Sequence, residues 1–232
     1  MPKIKLPSGT YYKYKTIPLF PGVKQIDKEI AAENLLLLKK LLDSQGIHFQ
    51  LSAGTLLGAI RDADFINHDE DIDLAFDNED REKVLELLPL MRENGFELCR
   101  FDRRDLYSVM RKGEYIDLYF FHPFRNGLSI CSGWVLKTSH LKESTHFSFK
   151  SQDFLIPKDY EEYLVGEYGE DWHTPVVWNN YHQQKWKVVL FNMKEHLKDY
   201  LPSWLFNKLA AKAEKRMIAL SMSHLKRIGI EP

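Results

Sequence analysis

Leu51-Ser52-Ala53-Gly54-Thr55-Leu56-Leu57-Gly58-Ala59-Ile60-Arg61, followed by His68-Asp69-Glu70-Asp71-Ile72-Asp73-Leu74-Ala75-Phe76, is the stretch whose reading decides the fold. It runs from a small-residue turn, through a polar loop, into four acids within five positions. Ile72, Leu74 and Phe76 then alternate with Asp71, Asp73 and Ala75, the period of a strand. Asp71 and Asp73 therefore share one face, with apolar residues on the other. Adjacent carboxylates repel unless a cation lies between them, and oxygen ligands of this kind suit Mg²⁺, with Mn²⁺ as the other candidate. The Gly54-Thr55 turn offers backbone N–H groups and a hydroxyl to a phosphate, because small residues let the backbone approach it.

A third acid belongs with this pair. Tyr115-Ile116-Asp117-Leu118-Tyr119-Phe120-Phe121 is apolar at nearly every position and reads as a central strand, yet it carries Asp117. An unpaired carboxylate there costs several kcal/mol, of order 2–7 or more. Strand pairing can bring Asp117 beside Asp71 and Asp73. Arg61, between the turn and the acids, suits a diphosphate, since a guanidinium pairs bidentately; the plainer reading is a surface Arg paired with Asp62 or Asp64. His68, Asp69 and Glu70 form a second rank. Asp69 orders the loop or meets a positive head group, Glu70 points away from the Asp71/Asp73 face, and His68 reads as structural.

At these residues the chain resembles the LicD family, which includes the fukutin-like proteins. The resemblance rests on Gly54-Thr55-Leu56-Leu57-Gly58, on Arg61, and on Asp69-Glu70-Asp71-Ile72-Asp73, and it spans about residues 26–180. Two departures lie beside the acids: Asn67-His68 replaces a frequent Pro-Trp, and Glu70 replaces the usual Asp. The resemblance implies an α+β nucleotidyltransferase (polymerase-beta-like) fold, a mixed sheet with helices on one side and a C-terminal helical appendage. It implies Asp71, Asp73 and Asp117 as metal ligands, Asp117 also helping to deprotonate the acceptor, and Gly54, Thr55 and Arg61 on the donor phosphates. The reaction implied is transfer of phosphocholine, a polyol phosphate or a similar group from a CDP-linked donor to a sugar hydroxyl of a glycan or lipid-linked glycan, with CMP leaving. The alternatives are a nucleotidyltransferase that adds NMP from an NTP, and a binding module without catalysis. Tyr168-Gly169-Glu170-Asp171-Trp172-His173-Thr174-Pro175 resembles a late stretch of family members. There Trp172 or Trp178 either faces a quaternary ammonium by cation–π attraction or plugs the core.

The rest of the chain is read around this centre. Its 232 residues suffice for one large domain with an appendage, and 44% hydrophobic content suits a packed globule. A net charge of −1 gives no sign of nucleic acid as a partner. Cys99 and Cys131 lack metal-ligand spacing and read as reduced thiols. No signal peptide or membrane span is visible. Golgi members of the family carry an anchor, so the resemblance without one implies a bacterial-type cytoplasmic enzyme.

Residues 1–24 read as an extended arm contributing one edge strand, 25–182 as the catalytic domain, and 183–232 as the helical appendage. Helices are expected over Asp27–Ser44, over Arg81–Glu93 with a kink at Pro89, and over Asp159–Glu167. Strands are expected at Ile47–Leu51, Asp71–Phe76, Phe96–Phe101, Tyr107–Lys112, Tyr115–Phe121 and Gly127–Lys137. An aromatic loop over Asp171–His182 leads to a last helix pair, about Tyr181–Tyr200 and Ser203–Ile228. In the second of these, Leu205, Leu209, Ala213, Met217, Leu220 and Leu225 form a packing stripe, and Lys208, Lys212, Lys215, Arg216, Lys226 and Arg227 face away. Such a basic face also suits an anionic membrane surface, where lipid-linked acceptors lie.

Overall fold

The computed structural model describes residues 1–19, 24–176 and 185–230. In chain order its elements are β1 (Lys3–Lys5), β2 (Tyr11–Lys13), α1 (Lys28–Asp43), β3 (Gln50–Leu51), α2 (Ala53–Arg61), β4 (Ile72–Asp77) and α3 (Arg81–Glu93). Then come β5 (Glu97–Asp102), β6 (Leu106–Arg111), β7 (Glu114–Arg125), β8 (Leu128–Cys131), β9 (Trp134–Lys137) and α4 (Thr138–Lys142). The hairpin β10 (Ser144–Phe149) and β11 (Gln152–Pro157) precedes α5 (Tyr160–Tyr168), α6 (Lys185–Lys198) and α7 (Ser203–Leu225).

A mixed sheet of nine strands carries the fold, in the order β10-β11-β3-β4-β7-β6-β5, with β8 and β9 continuing from the far end of β7. Its centre is the parallel pair β4 and β7, in which Ile72, Leu74 and Phe76 lie opposite Ile116, Leu118 and Phe120. These residues are buried and turn to one face. Phe76 stacks on Phe120 with ring centroids 4.9 Å apart, Tyr107 lies 5.1 Å from Phe120, and Phe101 stacks on Tyr107 at 4.5 Å. That aromatic row runs across four strands and holds their register through offset ring contacts. The opposite face of the same strands carries Asp73 and Asp117.

Helix α1 begins where expected: the Asp27 side chain accepts from the N–H groups of Glu29 and Ile30, each at 3.1 Å, satisfying two donors that the first turn leaves open. Its apolar side packs on β7 and on α3. Helix α3 runs on through Pro89 without a break, because Leu85, Leu87, Leu88 and Met91 are buried on both sides of it and packing outweighs the lost hydrogen bond.

Several expectations need correction. The N-terminal arm is a hairpin forming its own two-stranded sheet, with Ile4, Leu6, Tyr12 and Tyr14 in the main core, and not an edge strand of the large sheet. Gly127–Lys137 is two strands, turning at Ser132 and Gly133, which both have positive φ. Helix α7 crosses that turn so closely that a Cβ on Gly133 would lie 3.0 Å from the Glu214 carbonyl oxygen. The β10–β11 hairpin has no counterpart among the expected strands; its turn uses Lys150 and Ser151 at φ of 50° and 60°, without the Gly or Asn that signals a tight turn. Tyr181, His182 and Trp178 lie outside the described residues.

Candidate active site

One row of polar side chains crosses the sheet at right angles to the strands. Asp73 on β4 lies opposite Asp117 on β7, Asp117 opposite Ser108 on β6, and Ser108 opposite Arg100 on β5. Asp71 sits just before β4, two residues from Asp73 and on its face. Carboxylate oxygens of Asp71, Asp73 and Asp117 lie within 4.8 Å of one another. Asp73 is 7% exposed and Asp117 3%, while Asp71 is half-buried.

The row is electrostatically lopsided. Asp117 is salt-bridged to Arg100 and accepts a 2.5 Å hydrogen bond from the Ser108 hydroxyl; Arg100 Nε also donates to Ser108 Oγ at 2.8 Å. Among the described residues no cation pairs with Asp71 or Asp73. Withdrawal from water, and then the Asp73 and Asp117 charges, push the Asp71 carboxyl well above the usual carboxylate range. Burial, and then Asp69 and Asp117, do the same to Asp73. Three converging oxygen ligands with too little positive charge are a donor set that fits a divalent cation.

The Gly54-Thr55 segment is not a turn. It forms the first turn of α2, with Ser52 at the N-cap position but making no side-chain capping hydrogen bond. Tyr163 on α5 holds this start: its hydroxyl lies 2.9 Å from Ser52 Oγ and accepts from Ala53 N–H at 3.0 Å. Ala53 carries φ of 41°, a strained value for a residue with a Cβ. Thr55 is buried, and its hydroxyl accepts from the Asp73 N–H at 2.9 Å. The side chain expected on a donor phosphate thus fixes the strand that presents Asp73. Gly54 is glycine for a different reason: a Cβ there would collide with the Asp69 carboxylate. Gly58 packs against the Asp64 carbonyl and Ile66.

A cavity of about 470 Å³ opens beside the row, with Gly54, Arg61, His68, Asp69, Asp73 and Trp172 among its lining residues. Arg61 is held bidentately by Asp62, at 2.8 and 2.7 Å, the plainer of its two expected pairings, and still reaches the cavity wall. Burial pushes the Asp69 carboxyl up to about 6 and holds the His68 imidazole below its usual value. Glu70 is half-buried, and its N–H donates to Asp69 Oδ1 at 3.2 Å. Trp172 is buried in the main core and stacks on His173 with centroids 3.6 Å apart, so it plugs the cavity wall.

Two cations belong to the site that the sequence alone does not single out. Arg100 reaches Asp117 because β5 carries a bulge between Leu98 and Arg100. Arg227, expected to face away from the body, follows α7 in a short 3-10 turn, donates to the carbonyls of Gly166 and Glu167 at 3.0 Å each, and lines the same cavity. Arg100, one of two charged residues with Glu97 in the strand Phe96–Phe101, carries that charge as its one signal; for Arg227 there is none.

Comparison with known proteins agrees with this geometry. The family model described as "LicD/FKTN/FKRP, nucleotidyltransferase domain" matches residues 46–161. That segment contains α2, the acidic loop, β4 and β7, and with them all three carboxylates. The ribitol-5-phosphate transferase FKTN of Homo sapiens is 27% identical over 161 residues, covering 64% of this chain and 34% of that protein, and the Macaca fascicularis protein of the same name gives the same values. The uncharacterized protein RP689 of Rickettsia prowazekii (strain Madrid E) is 29% identical over 87 residues, covering 38% of this chain and 31% of that one. The chain spans about a third of the length of the curated relatives it matches. Among solved structures, the lincosamide antibiotic adenylyltransferase LnuA with lincomycin bound has 12% identity and a TM-score of 0.42, covering 64% of this chain and 86% of its own. The antibiotic-resistance factor ANT(2'')-Ia has 15% identity and a TM-score of 0.43, covering 86% and 99%. The family model spans half of the chain and contains the acidic row, and the chain belongs to the LicD/FKTN/FKRP family, with a nucleotidyltransferase-type mixed sheet and a helical C-terminal extension.

Proposed function

We propose that the protein transfers a substituted phosphate from a CDP-linked donor to a sugar hydroxyl of a cell-surface glycan or its lipid-linked precursor, with CMP as the leaving group. The observation that carries this reading is the row Asp71/Asp73/Asp117 at the edge of a cavity that two guanidinium groups also reach. The named curated relatives are ribitol-5-phosphate transferases, which makes ribitol phosphate the first head group to test.

Asp71, Asp73 and Asp117 would hold Mg²⁺ or Mn²⁺, which when bound polarises the phosphoryl oxygens and stabilises the attacking and leaving oxygens of an in-line displacement. The chain's own groups do the rest. Arg61 and Arg227, which both line the cavity, would neutralise the donor diphosphate. The first turn of α2, anchored by Tyr163, brings Ala53 and Gly54 to the wall of the same cavity. Asp117 has its oxygens engaged by Arg100 and Ser108, so it acts in orientation. Asp71 is the most open carboxylate of the three and completes the ligand set. Thr55 holds the Asp73 backbone and acts through it.

The test is release of CMP from CDP-ribitol, CDP-glycerol and CDP-choline by the purified protein with a glycan acceptor, with the product weighed by mass spectrometry. The reading expects the acceptor to gain one phosphodiester bearing the head group. A gain equal to a nucleoside monophosphate, with pyrophosphate released from an NTP, would instead make the protein a nucleotidyltransferase. No turnover with any donor, together with measurable nucleotide binding, would mark a binding module.

A further inference from the structure

Helix α6 packs with the wrong side outward for a soluble helix. Trp186, Val189, Leu190, Met193, Leu197 and Tyr200 recur at spacings of three and four residues, so they form one continuous stripe. All six are exposed, Trp186 at 59% and Leu197 at 56%. The side turned to the body is the more polar one. There the Asn192 side chain donates to the Leu19 carbonyl and accepts from its N–H, both at 2.8 Å. The Asp199 carboxylate accepts from the Tyr14 hydroxyl at 2.7 Å and from Thr16.

Helix α7 repeats the pattern on a flank. Of the stripe expected to pack, Leu225 is buried, Leu205 is half-buried, and Leu209, Ala213, Met217 and Leu220 are exposed; burial falls instead on Phe206, Ala210 and Met222, and Trp204 is 69% exposed. On the helical wheel Lys208, Lys212 and Lys215 form the neighbouring sector, and no described residue pairs with them. From Trp186 to Ile228 the chain has nine Lys and Arg against three acids, although the whole protein carries −1. Two of those acids, Glu195 and Asp199, are already engaged, with Lys198 and Tyr14.

We infer that α6 and the exposed flank of α7 dock the protein on an anionic membrane surface. Charge complementarity selects that occupant: a bare apolar stripe would suit any partner, but the α6 stripe carries Trp and Tyr, the side chains that prefer the water–lipid boundary, and is bordered by the exposed Lys187 and Lys194, as the α7 flank is by Lys208, Lys212 and Lys215. A spanning role is excluded for these helices. None of the described helices is long and apolar enough to cross a membrane. The 14 residues of α6 reach only about 21 Å, short of the ~30 Å hydrocarbon core. Lying in the interface plane, α6 would also bring its groove of about 450 Å³, lined by Pro18, Val188, Val189 and Met193, against the acyl chains. The inference stands on the helices alone and is independent of the reaction proposed for the acidic row.

Flotation of the full chain with phosphatidylcholine vesicles, and with phosphatidylcholine–phosphatidylglycerol vesicles, tests it. The protein is expected to float with the anionic vesicles only, and less so as salt screens the charges over ~10 Å at 0.1 M. Lys208→Glu, Lys212→Glu and Lys215→Glu should each weaken partition by about fivefold or more at low salt. Met193→Ser with Leu197→Ser should abolish it while leaving the melting temperature unchanged, because both side chains are exposed. Absence of flotation at low salt overturns the inference, as does flotation that the double variant retains. A dimer in vesicle-free solution that the same double variant dissolves overturns it too, in favour of a second copy covering the stripe.

Discussion

Replacing Arg100 by Met removes the guanidinium from the Asp117 carboxylate while keeping an unbranched stem. The pair is nearly dry, with Arg100 at 15% and Asp117 at 4% side-chain exposure. Without Arg100, Asp117 keeps only the Ser108 hydroxyl at 2.5 Å and a long contact to the Tyr119 hydroxyl at 3.4 Å, and it still faces Asp71 and Asp73. Breaking a buried pair from one side costs about 3–5 kcal/mol, because the remaining charge is stranded. For a chain of this size each kcal/mol corresponds to roughly 2–4 °C, so the melting temperature in chelator should fall by about 6–20 °C. Two further arms separate charge from packing. Mg²⁺ should recover more of the loss in Arg100→Met than it adds to the unaltered protein, since it supplies the missing charge. Arg100→Met combined with Asp117→Leu should melt close to the unaltered protein, because an apolar pair leaves nothing stranded. Calorimetry decides the matter. A single variant within about 0.5 kcal/mol of the unaltered protein, the range of an ordinary surface substitution, would refute the reasoning.

Asp71→Asn and Asp73→Asn should each take turnover to background while the circular dichroism spectrum is retained. In chelator both variants should melt higher than the unaltered protein, because each removes one charge from a cluster that repels itself; full activity in either, or turnover undiminished by chelator, removes the metal from the mechanism. Gly54→Ala should cost about 1–3 kcal/mol in urea unfolding through overpacking against the Asp69 carboxylate. Gly54→Ala combined with Asp69→Ala should recover most of that loss, and failure to recover would place the strain elsewhere.

The local chemistry of the site is legible in the sequence. Asp71 and Asp73 share a face because strands have a period of two, and Asp117 stands out because a central apolar strand does not carry an acid without a partner. Both readings need only neighbours along the chain, and the parallel pairing of β4 with β7 then sets Asp73 opposite Asp117. Helix α1 is equally plain, since Asp27 and the Leu spacing are local signals.

What depends on the tertiary structure are the partners and the faces. Cys99 is the extra residue of the bulge in β5; without it Arg100 would lie opposite Tyr107 and point to the other face of the sheet. A single-residue shift in register leaves no mark on composition or periodicity, so the sequence shows a charged residue at Arg100 but not that it compensates Asp117. The Gly54-Thr55 segment has the composition of a turn, and becomes a helix start because Tyr163, more than a hundred residues later, anchors Ser52 and Ala53. The apolar periodicity of α7 is visible, but the sequence does not say which flank meets the body. Phe206 is buried against Arg103 and Arg104, and Met222 and Leu225 join Leu128, Ile130 and Val135, while Leu209, Met217 and Leu220 stay exposed. Periodicity determines that a helix has an apolar side; only the shape of the surface it meets decides which part of that side is buried.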